Sequence, residues 1–498
     1  MSRPTVHIIG GGMSGLCAGA VLAGRGFRVH ILEQSDKPGG YVTGFWRQGH
    51  YFDATGAFLA SCRPGSDFYG LLQETGLAGK LTFLPIPEIR NCFPGASLQL
   101  PYASSRAYTE SLKERFPGQA QALEDYLSLT LRLGRQILAF DTDPLWKKFF
   151  LPLTRPLLLR CGRLSHKAVL DRFFDDPRLH LALSALPTTL PPSRLAYAFV
   201  AVLWTKVLQD GVFYPQGGMI ALSQALQQRI LDLGGRIDCN HRVVELRGAK
   251  RRIDALKLAD GQVIETDWLL GAANPLPFQA SLPDGQELFR RPFRLQRFRP
   301  SFSALLLYAG LPAEHLPPDW PSFVSVQTGQ DQEQAAIDLE GGSLDGDLHA
   351  VLTTPSLLDP RLAPPGQQSL KVLVHAPRAG TFAASYPSES ELDALQTRIL
   401  ERLRTWTGLD LANRASFIER ATPQTLQRRT GNQDGAMYGF DAEIDQIGPS
   451  RPPQATRYHN LVWVGHYTRP AHGIVGSGLS GLFGAKLLIK RMGKKISG

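Results

Sequence analysis

A run of glycines close to the start, Gly10-Gly11-Gly12-Met13-Ser14-Gly15, carries the spacing G-x-G-x-x-G, and an acid, Glu33, follows about 20 residues on. These residue types at this spacing suit the binding of a dinucleotide. Gly10 permits a tight turn, Gly12 lets the backbone approach a pyrophosphate, and Gly15 lets a helix pack closely on a strand. Helical N–H groups at Met13 and Ser14 lack intrahelical partners and lie at the positive end of the helix dipole, where phosphates bind. Glu33, followed by Gln34, is placed to accept from a ribose hydroxyl. Metal and nucleophilic chemistry have no comparable signal. The five cysteines, at 17, 62, 92, 161 and 239, are scattered, with no C-x-x-C, no ligand-like pairing and no nucleophile elbow.

The elements that must position these groups are legible around them. Val6-His7-Ile8-Ile9 reads as a buried strand, Leu16 to Gly24 as a helix of small residues, and Arg28 to Leu32 as a strand that ends at the acid. A second strand–glycine–helix unit closes the chain. Asn460 to Gly465 is a strand, Gly473 to Gly481 a glycine-rich loop, and Leu482 to Arg491 a helix. Between them, Gly217 to Leu233 predicts an amphipathic helix, Arg236 to Leu246 a single strand, and Ile253 to Ile264 a hairpin turning at Asp260-Gly261. Ala107 to Leu208 is mostly helical by pattern. Residues 286–439 mix strands, such as Ser303 to Tyr308 and Lys371 to Ala376, with a helix near Glu391 to Trp406.

After Glu33 comes Pro38-Gly39-Gly40, a second glycine pair that an extended FAD would need and NAD would not. Further blocks are Phe52-Asp53 to Gly56, Gly211-Val212-Phe213-Tyr214-Pro215-Gln216-Gly217-Gly218-Met219, Gly435-Ala436-Met437-Tyr438-Gly439, and Gly465 to Gly481. Together these resemble the FAD-dependent amine-oxidase-like superfamily, in its branch of phytoene desaturases, carotenoid isomerases and retinol saturases. The resemblance implies an α/β fold: a Rossmann-like, glutathione-reductase-like FAD-binding domain interleaved with an α+β substrate domain and a helical subdomain that can face a membrane. The expected pieces are 1–90, 212–285 and 440–498 for FAD, 91–211 for the helical part, and 286–439 for substrate.

By motif position, the resemblance assigns FAD to Gly10, Gly12, Met13, Ser14, Gly15, Glu33, Gln34, Gly39, Gly40, Thr55, Gly56, Val243, Gly465, His466, Ile474, Gly476 and Ser477. The helix after Gly473 would face the flavin pyrimidine edge with its N-terminus. His472, Tyr438 and Tyr467 are the candidate catalytic groups, with Asp53 also expected near the flavin. His472 either presents an acid or base to substrate, or bonds a loop carbonyl or faces solvent. Two positions depart from the family pattern: Tyr41 replaces an arginine after Pro-Gly-Gly, and His466 replaces an acid after the C-terminal strand glycine.

The 498 residues predict two or three domains. A strand beginning near Thr5 leaves no space for a leader within this sequence, and the longest apolar run, Leu195 to Leu208, is too short to span a bilayer. The expectation is a cytoplasmic protein, soluble or peripheral to the cytoplasmic membrane face. Net charge is +10, spread without an arginine-rich arm, which argues against nucleic acid and favours an anionic lipid surface. Trp146 to Arg160 alternates large apolar groups with cations around two prolines. It reads either as an interfacial segment or as a cap whose leucines fill a core.

Three functions share this pattern. The first is an FAD-dependent oxidoreductase acting on carbon–carbon bonds of a hydrophobic isoprenoid or polyene, by desaturation, saturation or isomerisation, with an external electron donor or acceptor. The second is a flavin amine oxidase, which would want an aromatic cage such as Tyr438 with Tyr467. The third is a non-catalytic prenyl-lipid carrier resembling Rab GDP-dissociation inhibitors.

Overall fold

In the computed structural model, which describes residues 4–102, 104–140, 151–186, 190–282, 287–290 and 293–496, the strand Thr5–Ile9 is the middle of a five-stranded parallel sheet. The order across the sheet is Arg236–Asp238, Arg28–Leu32, Thr5–Ile9, Trp268–Gly271 and Leu461–Trp463. Alternation along each strand sends side chains to two different layers. Val6, Ile8, Ile31, Leu270 and Val462 face helices; Ile9, Leu32, Leu269, Leu461 and Trp463 face a three-stranded antiparallel meander with Val243, Leu246, Ile253 and Leu256. The helical layer centres on Met13–Gly24, packed between Met219–Asp232 and Gly473–Ile496.

Two boundaries differ from the sequence reading. The single strand expected from Arg236 to Leu246 is broken at residues 239–242, where Asn240 takes φ +58. Arg236–Asp238 therefore edges the parallel sheet, and Val243–Ala249 opens the meander instead. The glycine-rich segment after Gly473 is not a loop. It is the first part of one helix, Gly473–Ile496, because its small residues let that helix lie on its neighbours. A Cβ on Gly481 would collide with the Ser14 carbonyl, and one on Gly478 would press into Leu71. Gly473–Gly493 is long and apolar enough to cross a membrane by composition, and half of its most apolar stretch is buried inside the protein.

A seven-stranded sheet forms the second body, in the order Phe417–Ala421, Ser303–Pro312, Gln367–Ala376, His349–Thr353, Phe323–Gln327, Glu88–Phe93 and Ala96–Pro101. Its neighbours are antiparallel except Phe323–Gln327 against Glu88–Phe93. Leu370, Val372, Val374, Ala350, Leu352, Val324 and Val326 bury one face with the helix Glu389–Thr407. Val351 and Leu373, on the other face, line a cavity.

The helical part runs through Ser105–Arg115, Ala120–Phe140, Pro156–Cys161, His166–Phe173, Pro177–Ser184 and Tyr197–Asp210. The apolar run at Leu195 to Leu208 is the core helix Tyr197–Asp210, pressed against Ala120–Phe140 so closely that Gly134 has no space for a Cβ beside Thr205 and Ala201. Within Trp146 to Arg160, residues 146–150 lie outside the described residues. Leu153 is 82% exposed and Leu159 52% exposed, whereas Leu157 is buried.

Candidate functional site

The turn between the first strand and helix uses its glycines for two different reasons. Gly10 holds φ +96 while its N–H donates to the Leu32 carbonyl at 2.9 Å. Gly15 has no space for a Cβ, which would collide with the Gly10 carbonyl oxygen and press on Ala272. Gly12 is different. It caps the helix at an ordinary φ of −73°, and nothing lies within 4 Å of where its Cβ would stand. The fold would accept a side chain at Gly12; a ligand phosphate would not. No side chain caps this helix and no acid occupies its first turn, so its first N–H groups are available to an anion. Glu33 is buried and accepts from the Gly11 N–H at 2.6 Å and the Ser35 N–H at 2.8 Å. Of the roughly four acceptor positions on a carboxylate, about two are left for ribose hydroxyls.

A cavity of about 1600 Å³ starts at this turn. Gly10, Gly12, Met13, Ser14, Glu33, Gln34, Gly39, Gly40, Thr55, Gly56, Val243, Gly465, His466, Ile474, Gly476 and Ser477 all line it, with Tyr438, Tyr467 and His472. Among the residues assigned to FAD, Gly15 alone does not, because it is spent on helix–strand packing. Small-molecule pockets usually measure about 300–1,000 Å³, so the space takes a cofactor and a second large molecule. Beyond the glycine end its walls are apolar, with Phe199, Leu203, Phe323, Val351, Leu373 and Met437.

Asp53 does not line this cavity, contrary to expectation. It is buried and accepts from the Tyr51 hydroxyl at 2.8 Å, the Tyr214 hydroxyl at 2.6 Å and the Met219 N–H at 2.8 Å. The block Gly211 to Met219 is thereby explained as a clamp. Gly218 has φ +91 and a Cβ there would strike the Tyr51 ring, so the turn closes on the aromatic strand only with glycine.

The two departures from the family pattern meet in space. The Tyr41 ring lies 6.4 Å from the His466 ring, and both line the cavity. Asn432 joins them: its Oδ1 lies 3.3 Å from His466 Nε2 and accepts from the Tyr467 hydroxyl at 3.1 Å. Its amide and the Tyr41 hydroxyl both donate to the Ala436 carbonyl, at 3.3 and 3.0 Å. A neutral cluster thus stands where an arginine and an acid would be. Burial pushes the His466 imidazole down to about 3, so it carries no charge near neutrality.

His472 follows neither of the bland expectations. It is 7% exposed, its Nε2 has no hydrogen-bond partner among the described residues, and its ring lies 4.8 Å from both Tyr438 and Phe199. Burial, aided by the charge of Arg451 and by His466, holds it neutral, well below the usual imidazole range. Tyr438 packs tilted against His472 while Tyr467 meets His466 edge to face, so the two tyrosines do not form one cage.

Three supporting residues were not foreseen. Arg451, buried, donates to the carbonyls of Phe440, Asp441, Gln446, His466 and Thr468 and so fixes the loop that carries His466 and Tyr467. No local pattern marks it. Asn432, which gathers the cluster, is equally unmarked. Lys371 has a signal that was available: a lone cation inside the apolar strand Gln367–Ala376. It is buried and donates to the carbonyls of Thr55, at 3.0 Å, and Gly56. Burial pushes it down to about 8, with Asp53 acting the other way.

This geometry can be set beside known proteins. A model of the flavin-containing amine oxidoreductases matches residues 13–489. The chain belongs to that family. It is therefore an FAD-dependent oxidoreductase, and the cradle from Gly10 to Glu33, with the open face of Gly12, fits the adenosine diphosphate half of that cofactor. Among similar proteins, the 4,4'-diapolycopene oxygenase of Methylomonas sp is 26% identical over 96% of this chain and 96% of its own. The lycopene-forming phytoene desaturase of Pseudescherichia vulneris is 27% identical over 97% of this chain and 98% of its own. A solved structure of putrescine oxidase bound to putrescine superposes with a TM-score of 0.65 at 14% identity, over 98% of this chain and 99% of its own. That last likeness is one of fold alone.

Proposed function

We propose that this flavoenzyme oxidises a long, hydrophobic polyene of the carotenoid class at carbon–hydrogen bonds. The observation that carries this reading is the continuity of one cavity from the phosphate-facing turn at Gly12 to the apolar wall of Phe323, Val351 and Leu373. The names of the two sequence relatives, an oxygenase of diapolycopene and a desaturase of phytoene, support the same substrate class. In desaturation a hydride and a proton leave adjacent carbons and a C=C bond forms, the two electrons passing on to an external acceptor such as oxygen or a quinone. Bound FAD supplies the two-electron acceptance.

The chain's own residues bind, orient and exclude water. Phe323, Val351 and Leu373 give the hydrocarbon part of a polyene nothing to hydrogen-bond, so that part is positioned by shape. His472, neutral and with a buried, unpartnered Nε2, is the candidate to take the departing proton by turning that atom towards the cavity its ring lines, where Tyr438 and Phe199 pack against it. His472→Phe keeps the packing and the flavin; turnover falls by about 10²-fold, the low end for a general base, since its basicity is weak.

Lipid contact belongs to the same reading. The cavity is lined by Ile137, Phe140, Leu158 and Arg163, which flank the exposed Leu153 and Leu159. An insoluble substrate entering from an anionic bilayer surface would reach the site between these helices.

The deciding experiment is anaerobic mixing of the yellow protein with a phytoene-type polyene. Bleaching of the flavin band together with a red shift of the polyene supports the proposal. A flavin that stays oxidised with polyenes but bleaches with an amine, releasing hydrogen peroxide in air, would move the protein to the amine oxidases.

A further inference from the structure

The face of the seven-stranded sheet that lines the cavity carries Phe323 and Ser325 on one strand, His349 and Val351 on the next, and Lys371, Leu373 and His375 on the third. Period-two alternation puts these on one side, with Val324, Ala350, Val372 and Val374 on the other. Lys371 touches Thr55 and Gly56 at the cofactor end. His375 is two side-chain steps further along, about 13 Å from it. Two half-buried histidines in an otherwise apolar wall require an account, because a polar group taken from water without a partner is costly.

Their hydrogen bonds form a directed chain. The Ser325 hydroxyl donates to the Ala185 carbonyl at 3.1 Å, and a carbonyl can only accept. The single hydroxyl proton is thereby used, so Ser325 Oγ accepts from His349 Nε2 at 3.3 Å. With Nε2 protonated, neutral His349 offers a lone pair at Nδ1, which lies 3.1 Å from Nδ1 of His375. His375 must donate there, and its Nε2 is left as a lone pair. Burial and the neighbouring His349 keep His375 neutral. The Phe302 ring, 4.4 Å away, fixes its plane. His375 lines the cavity, and its Nε2 has no partner among the described residues.

We propose that this end of the cavity recognises a hydroxyl group on the isoprenoid substrate, with Nε2 of His375 accepting its O–H. The proposal rests on the polyene reading above and sharpens it. A pure hydrocarbon leaves the acceptor unpaired, and so does an ether or an aldehyde, neither of which has a proton to give. The substrate is an oxygenated polyene, with its oxygen held about 13 Å along the strand from Lys371. A hydroxyl at this position is supplied by a reaction that precedes this enzyme and adds oxygen to the isoprenoid, by hydroxylation of a C–H bond or hydration of a C=C bond.

The test is an anaerobic titration of the holoenzyme, read by perturbation of the flavin spectrum, with three probes in one detergent: a terminally hydroxylated polyene, its methyl ether, and the parent hydrocarbon. The alcohol should bind at least about tenfold more tightly than either of the others, as a site built for a donor rejects analogues lacking it. His375→Leu should keep its flavin and its affinity for the hydrocarbon while making all three probes equal. Equal affinity of the unaltered protein for alcohol and ether overturns the proposal, and so does a preference that survives His375→Leu. If His375→Leu loses flavin, the comparison of alcohol and ether in the unaltered protein decides alone. If none of the three probes perturbs the flavin or is consumed, the polyene reading fails and takes this inference with it.

Discussion

The cavity has two halves built by opposite means. At the cofactor half the ligand is offered backbone: N–H groups at the start of the helix Met13–Gly24, glycines that leave space, and one carboxylate, Glu33. At the substrate half it is offered side chains, drawn from separate strands and helices and set on one face of a sheet by alternation. A backbone site depends on a contiguous motif and tolerates little substitution. A side-chain wall depends on which strands the fold makes neighbours, and a single residue can change what it accepts.

The strongest way to break this contrast is at the glycines. Gly12→Asp should fold normally yet purify without flavin, because its side chain has space in the protein but puts a carboxylate against a pyrophosphate. Gly15→Ala should also lose flavin, but with lost stability of about 1–3 kcal/mol or more, the usual cost of overpacking. Circular dichroism melting and the visible spectrum separate the two. A Gly12→Asp variant that keeps a full complement of flavin would remove the basis for the cofactor half as described.

On the other side, Val351→Trp narrows the apolar wall without touching the cradle. Flavin content should be unchanged while kcat/KM for a long polyene falls by about 10²-fold, as expected when a substrate is displaced by an ångström or more. Equal loss of flavin and turnover would show that the halves are not separable.

Lys371 sits at the seam, and its effect is smaller and pH-dependent. Its folded value near 8 lies below the unfolded one, so between these two the native state holds fewer protons than the unfolded state. Stability from this group therefore rises as pH increases through about 8 towards 10.4, by an amount on the order of 3 kcal/mol. Below that window both states are protonated, and the cost of the buried charge is carried in full. The difference in urea midpoint between the unaltered protein and Lys371→Met should change across this window and be flat between pH 6 and 7.

The weakest expected effect is at the entrance. Leu153→Asp with Leu159→Asp should reduce co-sedimentation with anionic vesicles several-fold, each leucine contributing up to about 1.5 kcal/mol of burial in lipid. Soluble turnover in detergent should be untouched. Unchanged sedimentation would return this stretch to a solvated cap.

How far the sequence alone reached can be followed in particular residues. Gly10 to Gly15 with Glu33 needed no partner elsewhere, since the turn, helix and acid lie within one short unit. His466 and Tyr41 were visible as departures, but their meeting through Asn432 was not, since three distant segments make it. Asp53 was misplaced because a carboxylate beside an aromatic strand looks the same whether it faces a ligand or two tyrosines. The break at Asn240 was missed because β-branched residues on both sides of it read as one strand.

From the sequence by itself came the cofactor, the α/β class and the location of the phosphate cradle, since these depend on local backbone conformation that glycine spacing encodes. Tertiary structure alone decided which groups reach the cavity and which do not: Asp53 is used in a clamp and Lys371 is buried on the Thr55 and Gly56 carbonyls, whereas His472 and, at the end of the chain from Ala185, His375 line it. Those depend on strand order and on which of two alternating faces meets the cavity, and neither is written in any one stretch of chain.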